Sequence, residues 1–244
     1  MIRRARQAVA DAPVPRGSAS LAGDVLQAVS KVFLLSPANM RGVRAGQLHR
    51  SRFELSGLKF GTSPNFELQT SNAASKGLSL EEAFTYASSL YFRGKIAYAR
   101  RFVNPPPCCG EGIYVIAPGF GLVPPDWIID APRFSTLRDV PADPAVLAFR
   151  KPLEAHALEL LKRLQPETSV VLLGSLAQRK YLEVLGPILG SRLQVPKAFV
   201  GTGDMRRGAL LLRAVTRGRE LEYLACAHLV QREQKETRRK RRRR

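Results

Sequence analysis

Two polar side chains in this chain of 244 residues stand where they could meet a bound base. They are Asn39, in Ser36-Pro-Ala-Asn-Met-Arg-Gly42, and Asp126, closing Pro118-Gly-Phe-Gly-Leu-Val-Pro-Pro-Asp126. An asparagine amide can read a base edge, and an aspartate can orient a water for attack, so these two are the candidate catalytic residues. Both follow apolar runs that end in turns, and so do Gly174-Ser175 and Val200-Gly-Thr-Gly-Asp204. Ser36, Gly119, Gly121, Gly174, Ser175, Gly201 and Gly203 are therefore candidates to line a ligand. Glycine lets a ligand approach the backbone closely, and a turn that opens a helix presents N–H groups to phosphate or carboxylate. Each turn also has a purely structural reading. Gly201-Thr-Gly203 lacks the dinucleotide-binding spacing and is explained by a tight turn ahead of a helix cap. Ser175 has no base paired with it and suits an N-cap, and Gly119-Phe-Gly121 suits a hinge.

Cationic residues cluster beside these turns. Arg41, Arg44, His49, Arg50 and Arg52 fall on a predicted helix, and Arg206 and Arg207 follow the last glycine turn. Tyr91, Phe92, Arg93 and Lys95 interleave rings and charges, a pattern that can stack a base and neutralise a phosphate. The alternative keeps Tyr91 in the core and leaves Arg93 and Lys95 in water. Arg41, Arg44, Arg93, Lys95, Arg206 and Arg207 complete the expected ligand- and phosphate-binding set. His156 lies on the flank of an apolar helix face and reads as structural. No metal site is expected, because Cys108, Cys109 and Cys226 and the three histidines lack ligand spacing, and no cofactor is expected either.

The elements that must position these groups follow from hydrophobic periodicity. Continuous apolar runs at 31–36, 113–117 and 169–173 are each ended by Pro or Gly and predict buried parallel strands. A weaker run at 192–195 and an edge strand at 220–224 complete the sheet. Helical spacing predicts a long helix over 79–102, opened by a Ser79/Glu82 capping box. Further helices are predicted over 152–164, beginning at Pro152, over 176–186, bent or ended by Pro187, and over 204–217, with Asp204 as N-cap and Gly218 as C-cap. Residues 61–77 and 132–150 read as long loops. The alternation gives an α/β fold: three layers, α/β/α, around a mostly parallel sheet of four to five strands. In such sheets ligands bind beyond the carboxyl ends of the strands, which is where the candidate turns sit.

Charge points to the partner. Lys+Arg 39 against Asp+Glu 20 gives +19, and the seven cationic residues 238–244 carry seven of these charges, which leaves +12 on the rest. An excess of that size is the electrostatic footprint of a polyanion binder, so RNA or DNA is the expected partner. Residues 1–29 read as a mobile arm, 30–227 as a single α/β domain and 228–244 as a basic tail, with both basic termini expected to be disordered. No apolar stretch approaches the length a membrane helix needs, so no membrane association is expected. The vicinal cysteine pair with one left over favours a reducing, cytoplasmic compartment. The basic start and the arginine tail leave organelle or nuclear targeting open.

Several segments, in order, carry a resemblance. They are Leu34-Leu-Ser-Pro37, Leu90-Tyr-Phe-Arg-Gly-Lys-Ile-Ala-Tyr-Ala99, Tyr114-Val-Ile-Ala-Pro-Gly-Phe-Gly-Leu-Val-Pro-Pro-Asp126, Val170-Val-Leu-Leu-Gly-Ser175 with Tyr181, and Phe199-Val-Gly-Thr-Gly-Asp-Met-Arg-Arg-Gly208. Together they resemble a group of uncharacterised bacterial α/β proteins that look distantly like the uracil-DNA-glycosylase-like domain of archaeosine synthases. The similarity spans roughly residues 31–224. It implies a three-layer α/β/α domain, a pocket at the strand ends, and a link to nucleic acid or modified-base chemistry. The activating-Asp and catalytic-His motifs of the glycosylases are not recognisable in this sequence, so the resemblance brings fold and pocket location without glycosylase activity. Three functions remain open: a nucleic-acid-binding protein with a nucleotide or base pocket, an enzyme acting on a nucleobase or nucleotide, and an accessory subunit of a ribonucleoprotein.

Overall fold

In the central strand β1 (Lys31–Leu35) alternate side chains enter opposite cores. Phe33 and Leu35 join one buried cluster, and Val32 and Leu34 join the other. A strand buried on both faces must be apolar at every position, which is why this run carries no polar alternation. The computed structural model of the protein describes residues 29–54, 77–174 and 180–226. The N-terminal arm, most of the 61–77 segment, Ser175 and the 228–244 tail lie outside the described residues.

After β1 come α1 (Val43–His49), β2 (Leu78–Ser79), α2 (Leu80–Ser88), α3 (Leu90–Phe102), β3 (Ile113–Ala117), β4 (Gly121–Val123) and β5 (Ile128–Ile129). The chain continues through α4 (Ala131–Asp139), α5 (Leu147–Arg163), β6 (Ser169–Leu173), α6 (Lys180–Leu189), β7 (Leu193–Pro196), α7 (Asp204–Arg217) and β8 (Tyr223–Ala225). The main sheet has the order β4-β3-β1-β6-β7-β8, with β3, β1, β6 and β7 parallel and the two edges antiparallel. Helices α1, α2, α3, α4 and α7 pack on one face and α5 and α6 on the other. The fold is therefore α/β with three layers, as the alternation predicts. The crossovers to β3, β6 and β7 share one hand, because the direction of travel across the sheet and the face used reverse together.

The sheet has six strands where four to five are predicted. The additional one is β4, inside the segment read as a glycine hinge. Phe120 N–H donates to the Ala117 carbonyl at 2.9 Å, and Gly119 and Gly121 take φ of +86° and +81° to close a hairpin. The edge strand at 220–224 is found slightly later, as β8. The single helix expected over 79–102 is two, broken at Ser89 (φ +48°, ψ −112°). The Ser79/Glu82 capping box at its start is present in both directions.

Close packing accounts for the course of α3 after the break. A Cβ on Gly94 would lie 2.9 Å from the Gly208 carbonyl oxygen, and one on Gly208 would lie 3.0 Å from Tyr91 Cα. α3 thus seats backbone to backbone on α7, a contact the α2 direction does not share. The segment 132–150, read as loop, holds α4, whose Asp130 cap accepts from Arg133 N–H at 2.8 Å with Pro132 in the first turn. Helix α5 starts before Pro152, which therefore does not mark its first turn, and α6 carries Pro187 within it, so that proline does not end the helix. The N-cap of α7 is Gly203 rather than Asp204, and Gly218 is its left-handed C-cap as predicted. His156 is structural: its Nδ1 lies 3.0 Å from the Leu122 backbone N–H and ties α5 to β4.

Candidate functional site

The chain leaves β1 toward β3 and leaves β6 toward β7, so the strand order diverges between β1 and β6. At that switch point the carboxyl ends of two neighbouring strands separate and leave a crevice. Ser36 follows β1 and its N–H still donates to Leu173 O at 3.1 Å. Gly174 follows β6, and a Cβ there would approach Ser36 Cβ to 3.1 Å and Ser36 Oγ to 3.4 Å. The crevice opens into a cleft of about 530 Å³ whose walls include Ser36, Asn39, Arg41, Ser88, Tyr91, Arg138, Asp143, Lys180, Tyr181 and Asp204.

The cleft has a cationic rim over a polar and aromatic wall. Arg41 donates from Nε to Arg138 O and from Nη2 to Asp139 O, each at 2.9 Å, and so closes the carbonyl end of α4. Arg138 pairs with Asp139 at 2.8 Å. Burial holds the Lys180 ammonium below the usual lysine range, opposed by Asp143 and Asp204. Tyr91 and Tyr181 are almost fully buried, and burial pushes both phenols well above the usual range. Among the described residues the Tyr91 hydroxyl and the buried Arg207 Nε have no hydrogen bond of regular geometry, though the Arg207 guanidinium lies beside Tyr91 and opposes the upward shift of its phenol. The rest of the Arg207 guanidinium is engaged, donating to Asp204 Oδ1 at 2.9 Å and to Phe199 O at 3.2 Å. Such unpaired buried groups are uncommon in folded proteins.

Beneath the wall lies Lys95, only 1% exposed. Its Nζ donates to the Ser36 carbonyl and lies 3.0 Å from Ser36 Oγ, with the Tyr91 and Phe92 ring centroids 4.5 and 4.9 Å away. Burial pulls its amine down to about 7, opposed by the more distant charge of Asp204. The sequence places Lys95 at a phosphate or in water; the structure buries it, so it is not in water. Helix α3 is buried along the face that carries it, where Lys95 is set against Ser36 at the end of β1 and beneath the rings of Tyr91 and Phe92.

The remaining sequence candidates divide. Ser36, Asn39 and Arg41 line the cleft, and Gly174, Lys95 and Arg207 support it from behind. Asn39 is exposed, and its Oδ1 accepts from Arg41 N–H at 3.0 Å. Gly201 and Gly203 form the open turn before Asp204 without lining the cleft. Arg44, over the Tyr86 ring at 5.2 Å, and the exposed Arg93 and Arg206 also lie outside its lining. Gly121 faces α5, where a Cβ would lie 2.5 Å from the Pro152 carbonyl oxygen, and Gly119 faces Thr136 on α4. Asp126 is exposed at the opposite end of the sheet: β4 runs antiparallel to β3 and returns the chain to where the parallel strands begin.

Sequence reasoning missed Arg138, Asp143, Lys180 and Tyr181 as cleft residues. Arg138 was hidden by reading 132–150 as a loop. The Asp130-Ala-Pro132 start of α4 was the signal that could have found it.

Elsewhere a smaller cavity of about 250 Å³ lies between α5 and β3–β4, lined by Tyr114, Leu122, His156, Glu159, Leu160 and Arg163. Cys108 Sγ donates to Arg163 O at 2.7 Å near it. Burial, with Cys108 alongside, pushes the Cys109 thiol up to about 11. Among the described residues no group of His, Cys, Asp and Glu could hold a metal ion, and no helix is long and apolar enough to cross a membrane. The chain matches no protein-family model, no curated protein and no solved structure.

Proposed function

We propose that this protein binds nucleic acid and takes a nucleotide into the cleft at the ends of β1 and β6. The observation that carries the reading is the make-up of that cleft: Arg41, Arg138 and Lys180 on the rim, Tyr91 and Tyr181 on the wall, and Asn39 at the mouth. Rim cations suit phosphate, and an aromatic and amide wall suits a base. The volume of about 530 Å³ falls in the roughly 300–1,000 Å³ range of small-molecule sites. The net charge of +19 supplies the long-range attraction.

Fluorescence anisotropy with labelled single-stranded RNA and DNA tests the reading. Log affinity should fall linearly as log salt rises from about 50 to about 200 mM. A nucleoside monophosphate should bind the cleft with a dependence on Lys180 and Arg41, each alanine substitution weakening it by about 3- to 10-fold through loss of a charged contact. Salt-independent affinity, or mononucleotide binding that ignores both substitutions, would end the proposal.

A further inference from the structure

We propose that Ser36 and Lys95 are a nucleophile and its general base, giving the cleft hydrolase activity toward carboxylic esters. The proposal stands apart from nucleotide binding, since it concerns one wall of the cleft and a different bond. Three observations carry it. Ser36 ends the central strand at the switch point and lines the cleft, so a carbonyl carbon entering there meets its hydroxyl. Gly174 beside it has no side chain; a Cβ there would press on Ser36 Cβ at 3.1 Å and touch Oγ at 3.4 Å, so glycine leaves the side of Ser36 uncovered. Lys95 Nζ is 3.0 Å from that oxygen and has no carboxylate within ion-pairing distance among the described residues.

An ammonium buried without a counter-ion is costly and tends to shed its proton. The groups around Lys95 are the Ser36 carbonyl and hydroxyl at the β1 end, Tyr91 and Phe92 on its own helix, and Asp204 and Arg207 on α7. Asp204, the Ser36 carbonyl and the two ring faces favour the charged form, and burial outweighs them. A neutral Lys95 has two N–H groups and one lone pair. One N–H donates to the Ser36 carbonyl, which fixes the amine, and the lone pair is left to accept the Ser36 O–H. Serine–lysine pairs of this kind can replace the serine–histidine arrangement. A lysine that only fastened α3 to β1 would need the carbonyl contact alone.

The reaction balances with water as the only co-reactant. Lys95 Nζ takes the Ser36 Oγ proton as Oγ bonds to the ester carbonyl carbon. The carbon–oxygen bond to the alcohol then breaks, and the alcohol leaves with the proton from Lys95. Water enters, gives a proton to Lys95 and attacks the acyl-Ser36 carbonyl. The carboxylic acid departs, and Ser36 regains its proton from Lys95. Arg41, Arg138 and Lys180 on the same cleft favour esters whose acid or alcohol part is anionic.

The test treats the full-length chain with a fluorophosphonate probe, maps the adduct by mass spectrometry, and follows p-nitrophenyl acetate hydrolysis in parallel. The expected result is phosphonylation at Ser36 Oγ, with a rate that rises with pH about a midpoint near 7 as Lys95 loses its proton. Ser36→Ala should abolish labelling and lower esterase turnover roughly a hundredfold. Lys95→Arg keeps a donor for the Ser36 carbonyl and removes the lone pair, and it should lower both to a similar degree. Ser36→Ala deletes one oxygen, so an unchanged circular dichroism melt establishes that its loss of activity is not unfolding. Absence of an adduct on Ser36, or wild-type esterase rates in Ser36→Ala, overturns the proposal while leaving nucleotide binding to be judged by its own titration.

Discussion

The two ends of β1 each hold a lysine over a tyrosine ring, and the two are treated in opposite ways. At the amino end Lys31 pairs with Glu220 and lies 5.2 Å over the Tyr223 ring. Tyr223 O–H donates to Glu220 at 2.6 Å, Tyr98 and Tyr223 hydroxyls meet at 2.7 Å, and Leu221 N–H donates to Tyr98 at 2.9 Å. Every member of that network has a partner. At the carboxyl end, among the described residues, Lys95 has no carboxylate in ion-pairing range, and Tyr91 Oη and Arg207 Nε have no hydrogen bond of regular geometry. Thr168 Oγ1, just before β6, is the one buried side-chain atom away from the cleft that is also unpaired among the described residues. A satisfied polar network stabilises and specifies a fold. Unsatisfied groups beside a cleft cost stability and stay available to a ligand or a reaction. Helix α3 serves both ends, bringing Tyr98 to the first and Tyr91 and Lys95 to the second.

The largest contrast should come from replacing the two lysines by methionine. Unfolded Lys95 keeps its proton up to its ordinary value of 10.5, whereas folded Lys95 releases it near 7. Between those values the unfolded chain holds more protons, so stability rises with pH. Relative to Lys95→Met, the wild type should gain up to about 1.4 kcal/mol per pH unit from pH 7 to about 10, and the gain should flatten below pH 7. Taking the difference cancels the tyrosines that titrate at the alkaline end. Lys31→Met should instead cost about 1 kcal/mol at neutral pH, because it removes the cation paired with Glu220 and leaves the Tyr223 hydroxyl as that carboxylate's remaining donor. Urea denaturation across pH checks both. A Lys95→Met difference that stays flat from pH 7 to 10 would remove the asymmetry between the ends.

How far each end could be read from the sequence follows from what fixes it. The apolar runs of β1, β3 and β6 are buried on both faces, so composition alone marks them, and with them the strand-end edge. Ser36, Asn39, Arg41 and Gly174 were found because they follow those runs directly. Asp126 was misplaced because a three-residue strand, β4, reverses the chain, and Gly119-Phe-Gly121 gives the same local signal for a hinge as for a hairpin. Lys95 looked like a surface cation because helical periodicity ranks a lysine as polar. What buries it is long-range packing, which sets Lys95 of α3 against Ser36 at the end of β1, 59 residues away in the chain. The Ser89 break is likewise dictated by packing, since nothing in its local sequence forbids a continuous helix.

A substitution that disturbs both ends at once sharpens the comparison next. Gly94→Ala would place a methyl 2.9 Å from the Gly208 carbonyl oxygen and 3.4 Å from Leu211 Cβ. Backbone cannot yield as a flexible side chain can, so α3 must move off α7, at a cost of about 1–3 kcal/mol. The cleft should feel the shift more strongly, because its groups have fewer bonds to hold them. Mononucleotide affinity and Ser36 labelling should therefore fall, while near-ultraviolet circular dichroism of the Tyr98–Tyr223 network stays close to wild type. Equal disturbance of both ends would show that satisfaction of the network confers no extra rigidity.

The smallest and most specific difference lies between two tyrosines about two turns apart on the same helix. Tyr98→Phe removes a hydroxyl that accepts from Leu221 N–H and meets Tyr223, so it leaves a backbone donor unpaired and should cost about 1–2 kcal/mol. Tyr91→Phe removes a buried hydroxyl that has no hydrogen bond of regular geometry among the described residues, so it should be neutral or stabilising by up to about 1 kcal/mol. The two variants lose the same atom from the same residue type in the same α-helix, so intrinsic propensity cancels between them. Thermal and urea melts of the pair then measure the polar environment alone. If Tyr91→Phe also weakens mononucleotide binding while raising stability, the unpaired hydroxyl is held for the ligand. If both variants lose equally, the Tyr91 hydroxyl has a partner in solution and the carboxyl end of β1 is as closed as the amino end.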